Sequence, residues 1–328
     1  MPATSTSPFP ALSSAGGLLP APFLARVGHL DSSLPGLSPG AYHLAPGERL
    51  EEATSAAFNN LLARWQRVCD LSETPSDSLG ANAERLWSLP ALAAFGYGWL
   101  QPAPALVFGE RSYPISHAWG AVPVHLVSWD TDLDKTAPVP GQTRRVSPSR
   151  LLQEALDLTG VRTWGIVSNG RKLRLLRSGS AGSRASFVEF DLESIFATQS
   201  FADFLLAWLT CHQSRLEARP QGGCWLDAWA DEAAASGIRS LDRLRGQVTQ
   251  AISILGAGFL ADPANASLRS RLASGALSGQ EYYRQLLRLA YRLIFCFVAE
   301  DRALLHPPQA DPVACDRYSH GLKNTRRV

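Results

Sequence analysis

Four charged residues in the first half of the chain suggest one kind of chemistry, the metal-dependent cleavage of a phosphodiester. These candidate catalytic residues are Glu110, Asp130, Asp132 and Lys135. Carboxylates of this kind hold Mg²⁺, which activates a water molecule and stabilises the charge that develops on the phosphorus oxygens. Under this interpretation the chain would be a metal-dependent DNA endonuclease with a non-standard site, and Mg²⁺ would be its cofactor.

The usual site for this chemistry has an Asp on one strand and an acid-x-Lys triplet on the adjacent strand. The strand predicted at residues 122–129 carries His125, Leu126 and Val127 where the acid, the spacer and the lysine would stand. None of the acids that follow this strand lies two residues before Lys135. The sequence therefore predicts a nuclease-like domain that has lost its metal ligands, and no standard metal site.

A second group of residues is basic and surrounds the Asn169-Gly170 pair. Its members, Arg171, Lys172, Arg174 and Arg177, are candidate DNA-binding residues. Because alternate residues of a strand share one face, their side chains could project together towards a phosphate backbone. A solvated strand face is the equally weighted alternative.

Other catalytic motifs are missing from the sequence. No Asn is followed by Pro, so the loop with which methyltransferases of exocyclic amines hold the flipped base is absent. No Gly-Lys-Ser/Thr phosphate loop occurs, which excludes nucleotide hydrolysis by that route. Five widely spaced cysteines predict free thiols instead of disulfides or zinc ligands. We expect no complete catalytic site and no cofactor in this chain.

The composition bounds the class of protein. The chain has 328 residues, and the 45% of them that are hydrophobic are enough apolar material for two globular domains. Its formal net charge of +2 gives no strongly basic surface overall. The longest uncharged apolar run, residues 293–299, is far shorter than a membrane span, and no lysine or arginine precedes Arg26 to start a secretory signal. These features predict a cytoplasmic protein without membrane contacts.

The periodicity of apolar residues changes along the chain. Helical spacing at residues 48–71 is followed by strand-like alternation between residues 105 and 129, and a helix at 149–158 is introduced by Ser147 and Pro148. The Asn169-Gly170 pair between two apolar runs predicts a hairpin over residues 163–177. After Asp191 the spacing is helical.

This pattern predicts an α+β fold, in which a mixed sheet with flanking helices, similar to a degenerate restriction nuclease, precedes an all-helical domain. The predicted domains are a disordered leader (1–45), an α/β nuclease-like domain without activity (46–198), a helical domain or connector (199–306) and a basic tail (307–328).

One segment also carries a family resemblance. Residues 164–177, WGIVSNGRKLRLLR, resemble a strand-turn-strand of type I and type IIG restriction proteins, and the preceding SPSRLLQE resembles the stretch behind their nuclease strand. The resemblance spans about residues 81–306 and ends in a helix similar to the one that leads into the methyltransferase domain of these enzymes, including defence adenine methylases of the DISARM type. It continues through FVEFDLE (187–193), CWLD (224–227), LDRLR (241–245) and YYRQLLRLAYRLIFCFVAED (282–301).

The resemblance implies a parent family of site-specific adenine DNA methyltransferases and restriction enzymes that use S-adenosylmethionine. The chain departs from that pattern because the nuclease triplet and the methyltransferase domain are both missing. We therefore expect a non-catalytic DNA-associated or scaffolding segment of a phage-defence restriction-modification methyltransferase, from a truncated gene, a fragment or a two-subunit enzyme. DNA and methyltransferase or defence-complex subunits are the expected partners.

A third hypothesis makes the chain a protein-interaction subunit of a defence complex, in which the helices after Phe201 bind a partner. Exposed apolar stripes on those helices would favour it.

Overall fold

The computed structural model describes residues 9–72, 82–160, 163–179, 186–301 and Leu304. The described residues fall into two compact units, which comprise residues 9–236 and residues 237–301. The predicted basic tail lies outside the described residues. None of the described helices is long and apolar enough to cross a membrane.

The first unit is built on a mixed seven-stranded sheet, which confirms the α+β class. The strands of this unit are β1 (Leu12–Ala15), β2 (Gln101–Pro102), β3 (Leu106–Phe108), β4 (Arg111–Tyr113), β5 (His117–Trp119), β6 (Val122–Leu126), β7 (Ala137–Pro138), β8 (Arg145–Val146), β9 (Trp164–Ser168), β10 (Lys172–Arg177) and β11 (Phe187–Asp191). Seven of them form the sheet in the order β1-β11-β10-β9-β6-β5-β2, and only the β6–β9 pair is parallel. Strands β3 with β4 and β7 with β8 form two small separate ladders.

Helices of the first unit pack on this sheet, and helices make up every regular element described after β11 in both units. They are α1 (Ala21–Gly28), α2 (Leu50–Ser72), α3 (Leu89–Leu92), α4 (Pro148–Asp157), α5 (Leu192–Ala197), α6 (Phe201–Cys211), α7 (Trp225–Ala261), α8 (Ala266–Ala273) and α9 (Gly279–Asp301). Two π-helical turns, Glu84–Ser88 and Ala93–Tyr97, flank α3.

Local sequence signals explain the central part of the sheet. Helix α4 begins where the sequence predicts it, because the Ser147 hydroxyl accepts a hydrogen bond from the backbone N–H of Arg150 and Pro148 occupies the first turn. This helix connects β6 to the parallel strand β9, as a parallel pair requires. The predicted hairpin is also confirmed, with Ser168 opposite Leu173 on either side of the Asn169-Gly170 turn.

The sheet is buried on both faces, which is why its central strands are almost continuously apolar. In β9, Ile166 belongs to a large core shared with α1, α2, α5 and α6, whereas its neighbour Val167 belongs to a second core formed with α4. Aromatic rings fill the larger core, where Trp87 and Phe196 meet edge to face with ring centroids 5.1 Å apart. The sheet therefore lies between two layers of helices, α1, α2, α5 and α6 on one face and α4 on the other.

The predicted disordered leader over residues 1–45 is wrong for the described residues 9–45. Strand β1 pairs antiparallel with β11, and Leu19, Leu24 and Val27 are fully buried in the larger core. The prediction failed because this segment is rich in Pro, Ser and Gly, a composition typical of disorder, although its apolar residues form a short strand and a two-turn helix. Residues 1–8 lie outside the described residues.

The boundary between the two units lies at residue 236 instead of the predicted 198. Helix α6, predicted to open the helical domain, packs with α1 and α2, and its Phe204 and Leu209 are fully buried in the larger core. The sequence shows the change from strand to helix at residue 191, but a change of secondary structure is not a change of core.

The second unit contains the part of α7 after Ser236, α8 and α9. Its described apolar core is small: Ile252, Leu286 and Ala290 are buried, and Val248, Leu255 and Tyr282 pack around them. The Tyr282 hydroxyl donates a hydrogen bond of 2.9 Å to the carbonyl of Gly256, which fastens α9 to α7. Most of the surface of α9 is left uncovered.

Candidate functional site

The four candidate catalytic residues do not line one site. Asp130 and Asp132 line a polar cavity of about 330 Å³. Glu110 lines a different cavity with Arg111, and the exposed Lys135 lines neither of the two. In the described part of the chain, no group of three His, Cys, Asp or Glu side chains is placed to hold a metal ion.

The basic candidate Arg174 is an internal residue of the sheet. It is 3% exposed, and its two Nη atoms donate to the two carboxylate oxygens of Asp134 at 2.6 and 2.8 Å. Its Nε donates to the buried carboxylate of Glu189 at 2.8 Å, and its guanidinium lies 4.1 Å from the ring centroid of Phe187. The hydrogen bonds from Arg174 also lower the pKa of Asp134. Arg174 is therefore fully engaged and has no free donor face for DNA.

The other three basic candidates also have carboxylate partners. Arg171 pairs with Glu193, with its Nε 2.7 Å from the carboxylate oxygen. Lys172 lies 3.2 Å from Glu189. An Nη atom of Arg177 lies 3.2 Å from a carboxylate oxygen of Asp227, and the guanidinium lies over the ring of Trp164. The structure thus brings the four candidates to one strand and its turn, as predicted, but each is neutralised by an acid.

The turn before these residues is fixed by its own hydrogen bonds. The Asn169 side-chain oxygen accepts from the backbone N–H groups of Arg171 and Lys172, at 3.0 and 2.8 Å. The carbonyl of Gly170, whose φ is +83°, accepts from the indole of Trp87 at 2.6 Å. A Cβ at residue 170 would lie 2.9 Å from the hydroxyl of Ser88, so the turn is packed onto the core.

A further cavity, beside the end of β6, was not predicted as a site. A cavity of about 640 Å³, here called the β5–β6 cavity, is lined by Ser116 before β5 and by His125, Leu126 and Val127 around the end of β6. These three are the residues that replace the acid-x-Lys triplet. The sequence alone identifies His125 only as a residue that replaces an acid. Its position near the end of a buried strand was the sequence feature that could have pointed to this cavity.

His125 is a neutral side chain inside this cavity wall. Its pKa is lowered to about 4 by burial and by the nearby His117. Its Nδ1 atom is buried and has no hydrogen-bond partner among the described residues. His117 in turn lies 2.9 Å from the Ser116 hydroxyl through Nδ1 and 3.6 Å from the Glu84 carboxylate through Nε2. A neutral imidazole offers one donor and one acceptor, so this group can hydrogen-bond a ligand but supplies no charge.

The second unit has a feature of another kind, an exposed apolar face on α9. Its most exposed members are Tyr291 at 77% and Phe295 at 73%. Helical spacing places the members on one stripe that begins beside the buried Leu286 and Ala290, and Tyr291 and Phe295 lie farthest from these two. We call this face the α9 surface; it comprises Tyr283, Leu287, Tyr291, Ile294, Phe295 and Val298. Exposed arginines at positions 284, 288 and 292 run along its border.

Comparison of the chain with family models, with curated proteins and with solved structures finds no match.

Proposed function

We propose that the chain is a non-catalytic scaffolding segment of a restriction-modification DNA methyltransferase, and that the α9 surface docks the methyltransferase part. One observation carries the docking step, namely six large apolar side chains exposed together on one helix face. Contiguous apolar patches of this kind are uncommon on proteins that act alone and mark interaction surfaces. The methyltransferase part is chosen as partner because residues 282–301 resemble the helix that leads into it.

The sheet of the first unit supports the nuclease-like part of the proposal. The β5–β6 hairpin, the crossing helix α4 and the parallel strand β9 follow each other as in the framework from which the metal ligands were expected. At the end of β6 this framework carries a neutral histidine, and the predicted metal ligands Glu110, Asp130 and Asp132 line two other cavities. This arrangement supports a structural role for the first unit over an endonuclease activity.

DNA association belongs to the same proposal but rests on the family resemblance. The four basic residues that we predicted as DNA contacts give it no support, because all four are paired with carboxylates. A phosphate contact would have to compete with those partners. We therefore base the proposed function on scaffolding.

The test is a binding experiment with the full chain. An adenine methyltransferase domain from a type IIG enzyme that carries a segment similar to residues 164–177 is titrated with the chain by isothermal titration calorimetry. We expect a saturable complex, and we expect a double variant, Tyr291→Ser with Phe295→Ser, to weaken it at least tenfold because central aromatic residues dominate interface energies.

A matched control uses two exposed apolar residues outside the α9 surface. Trp99 is 59% exposed and Val107 is 66% exposed, and both lie in the first unit. The double variant Trp99→Ser with Val107→Ser should bind like the original chain. Equal loss in both double variants, or no complex with the original chain, would contradict the proposal.

A further inference from the structure

The β5–β6 cavity has the size and wall of a small-molecule site. Its volume of about 640 Å³ lies within the range of ligand pockets, which hold a drug-sized molecule in a mostly apolar cleft with a few polar groups. Prolines at four positions line it, so much of its wall is conformationally restricted before any ligand arrives. They are Pro114, Pro138, Pro140 and Pro148.

One polar group in the wall lacks a partner. The Nδ1 atom of His125 is buried without a hydrogen bond within the described residues, although His125 as a whole is 9% exposed and lines the cavity. An unsatisfied buried polar atom costs free energy, so native proteins rarely keep one without a reason. Because Nδ1 itself is enclosed, a ligand reaches His125 at the part of the ring that lines the cavity, and the edge of a heterocyclic ring, which carries donors and acceptors in one plane, fits against that part.

Two neighbouring charged residues line the same cavity and are available for a ligand. Arg85 is exposed, and no carboxylate in the described part of the chain pairs with its guanidinium. Glu84 is about half exposed, and its described contact is the 3.6 Å approach to His117. An arginine fork matches the oxygens of a phosphate, and a carboxylate accepts hydrogen bonds from sugar hydroxyls.

From these contacts we infer that the β5–β6 cavity binds a nucleoside monophosphate, with the base against His125, the sugar beside Glu84 and the phosphate on Arg85. The ligand could be a free nucleotide or one nucleotide unit of a DNA strand, since both present the same groups. The inference uses no residue of the α9 surface. Failure of methyltransferase docking and failure of nucleotide binding are therefore separate results.

The test is calorimetric titration of the full chain with the four deoxynucleoside monophosphates, the matching nucleosides, inorganic phosphate and a short single-stranded oligonucleotide. We expect saturable binding of at least one monophosphate, weaker binding of its nucleoside and none of phosphate alone. A free nucleotide is the ligand if the monophosphate binds more tightly than the oligonucleotide. The reverse order assigns the cavity to a DNA strand.

Variants locate the site. Arg85→Gln removes an exposed charge, which leaves the fold intact, and should weaken monophosphate binding roughly ten- to hundredfold towards the nucleoside value. His125→Leu should weaken nucleoside and nucleotide alike, and His125→Gln, which keeps a donor and an acceptor, should restore part of the affinity. Arg111→Gln, an exposed arginine at a different cavity, is the matched control and should change nothing.

Three outcomes would overturn the inference. They are the absence of saturable binding by any nucleotide, phosphate binding as tightly as the nucleotide, and an Arg85→Gln variant that binds like the original chain. The Arg85 comparison decides the matter even if the histidine variants fail to fold.

Discussion

The two units of the chain differ in whether their large aromatic side chains are buried and in how much apolar core they contain. In the first unit, the buried guanidinium of Arg174 is matched by Glu189 and Asp134, and aromatic residues such as Phe204 are buried. In the second unit, Tyr291 and Phe295 are exposed and the described apolar core is small. The described part of the first unit therefore encloses large aromatic side chains, whereas the described part of the second leaves an apolar face of α9 exposed. We expect substitutions in the two units to change the free energy of unfolding by different amounts.

The largest effect is expected from Arg174→Ala. Removing this residue leaves Glu189 buried with Lys172 as its remaining cation, and the loss of one partner from a buried ion pair costs about 3–5 kcal/mol. All nine tryptophans lie in the first unit, so tryptophan fluorescence during urea unfolding reports on that unit alone.

The control for this prediction is Arg111→Ala in the same unit, an exposed arginine on β4. It should change the free energy of unfolding by about 0.5 kcal/mol or less. If Arg174→Ala were equally mild, the buried network would not stabilise the first unit and the contrast between the units would be lost.

Local signals made the centre of the first unit predictable. Ser147 and Pro148 mark a helix start through one hydrogen bond and one fixed φ angle, and the Asn169-Gly170 pair marks a turn because glycine adopts a positive φ without strain. Each signal acts within a few residues of the chain. The α+β class follows from such signals because they divide the strands from the helices.

Long-range pairing is what the sequence could not provide. Arg174 looks like a free basic residue until the fold brings Asp134, 40 residues away, against its guanidinium. The early segment looks disordered until β1 meets β11, almost 180 residues later. For the same reason the acids Glu110 and Asp132 look like one cluster in the sequence but line separate cavities. Charge type and spacing predict candidates, but not which opposite charge will lie beside them.

An intermediate effect is expected from pH, and it should be confined to the first unit. His125 and His212 have their pKa values lowered to about 4 and about 3, in both cases mainly by burial, with smaller contributions from His117 at His125 and from Arg215 and His43 at His212. Their ordinary value is 6.5, so below that pH the unfolded chain binds protons that the folded chain does not. Stability contributed by these residues is therefore present above pH 6.5 and is lost as the pH falls towards 4.

Urea unfolding followed by tryptophan fluorescence at pH 7, 6 and 5 measures this effect. The loss approaches about 1.4 kcal/mol per pH unit for each histidine once the pH is well below 6.5. His212→Gln should flatten the profile. Residues 237–301 contain no histidine, so the helices of the second unit, followed by hydrogen exchange, should not change over this range. A pH-independent first unit would mean that these imidazoles are not buried as the fold requires.

The smallest effect on stability is expected from the double variant Tyr291→Ser with Phe295→Ser, although it removes two aromatic rings. Both side chains are mostly exposed, so the free energy of unfolding should change by about 0.5 kcal/mol or less, whereas a single Phe204→Ala in the first unit should cost about 3–5 kcal/mol. Hydrogen exchange across residues 279–301 gives the first value and tryptophan fluorescence gives the second. Losing more than about 1 kcal/mol in α9 would mean that its rings already pack against the chain, and the α9 surface would then have no free face for a partner.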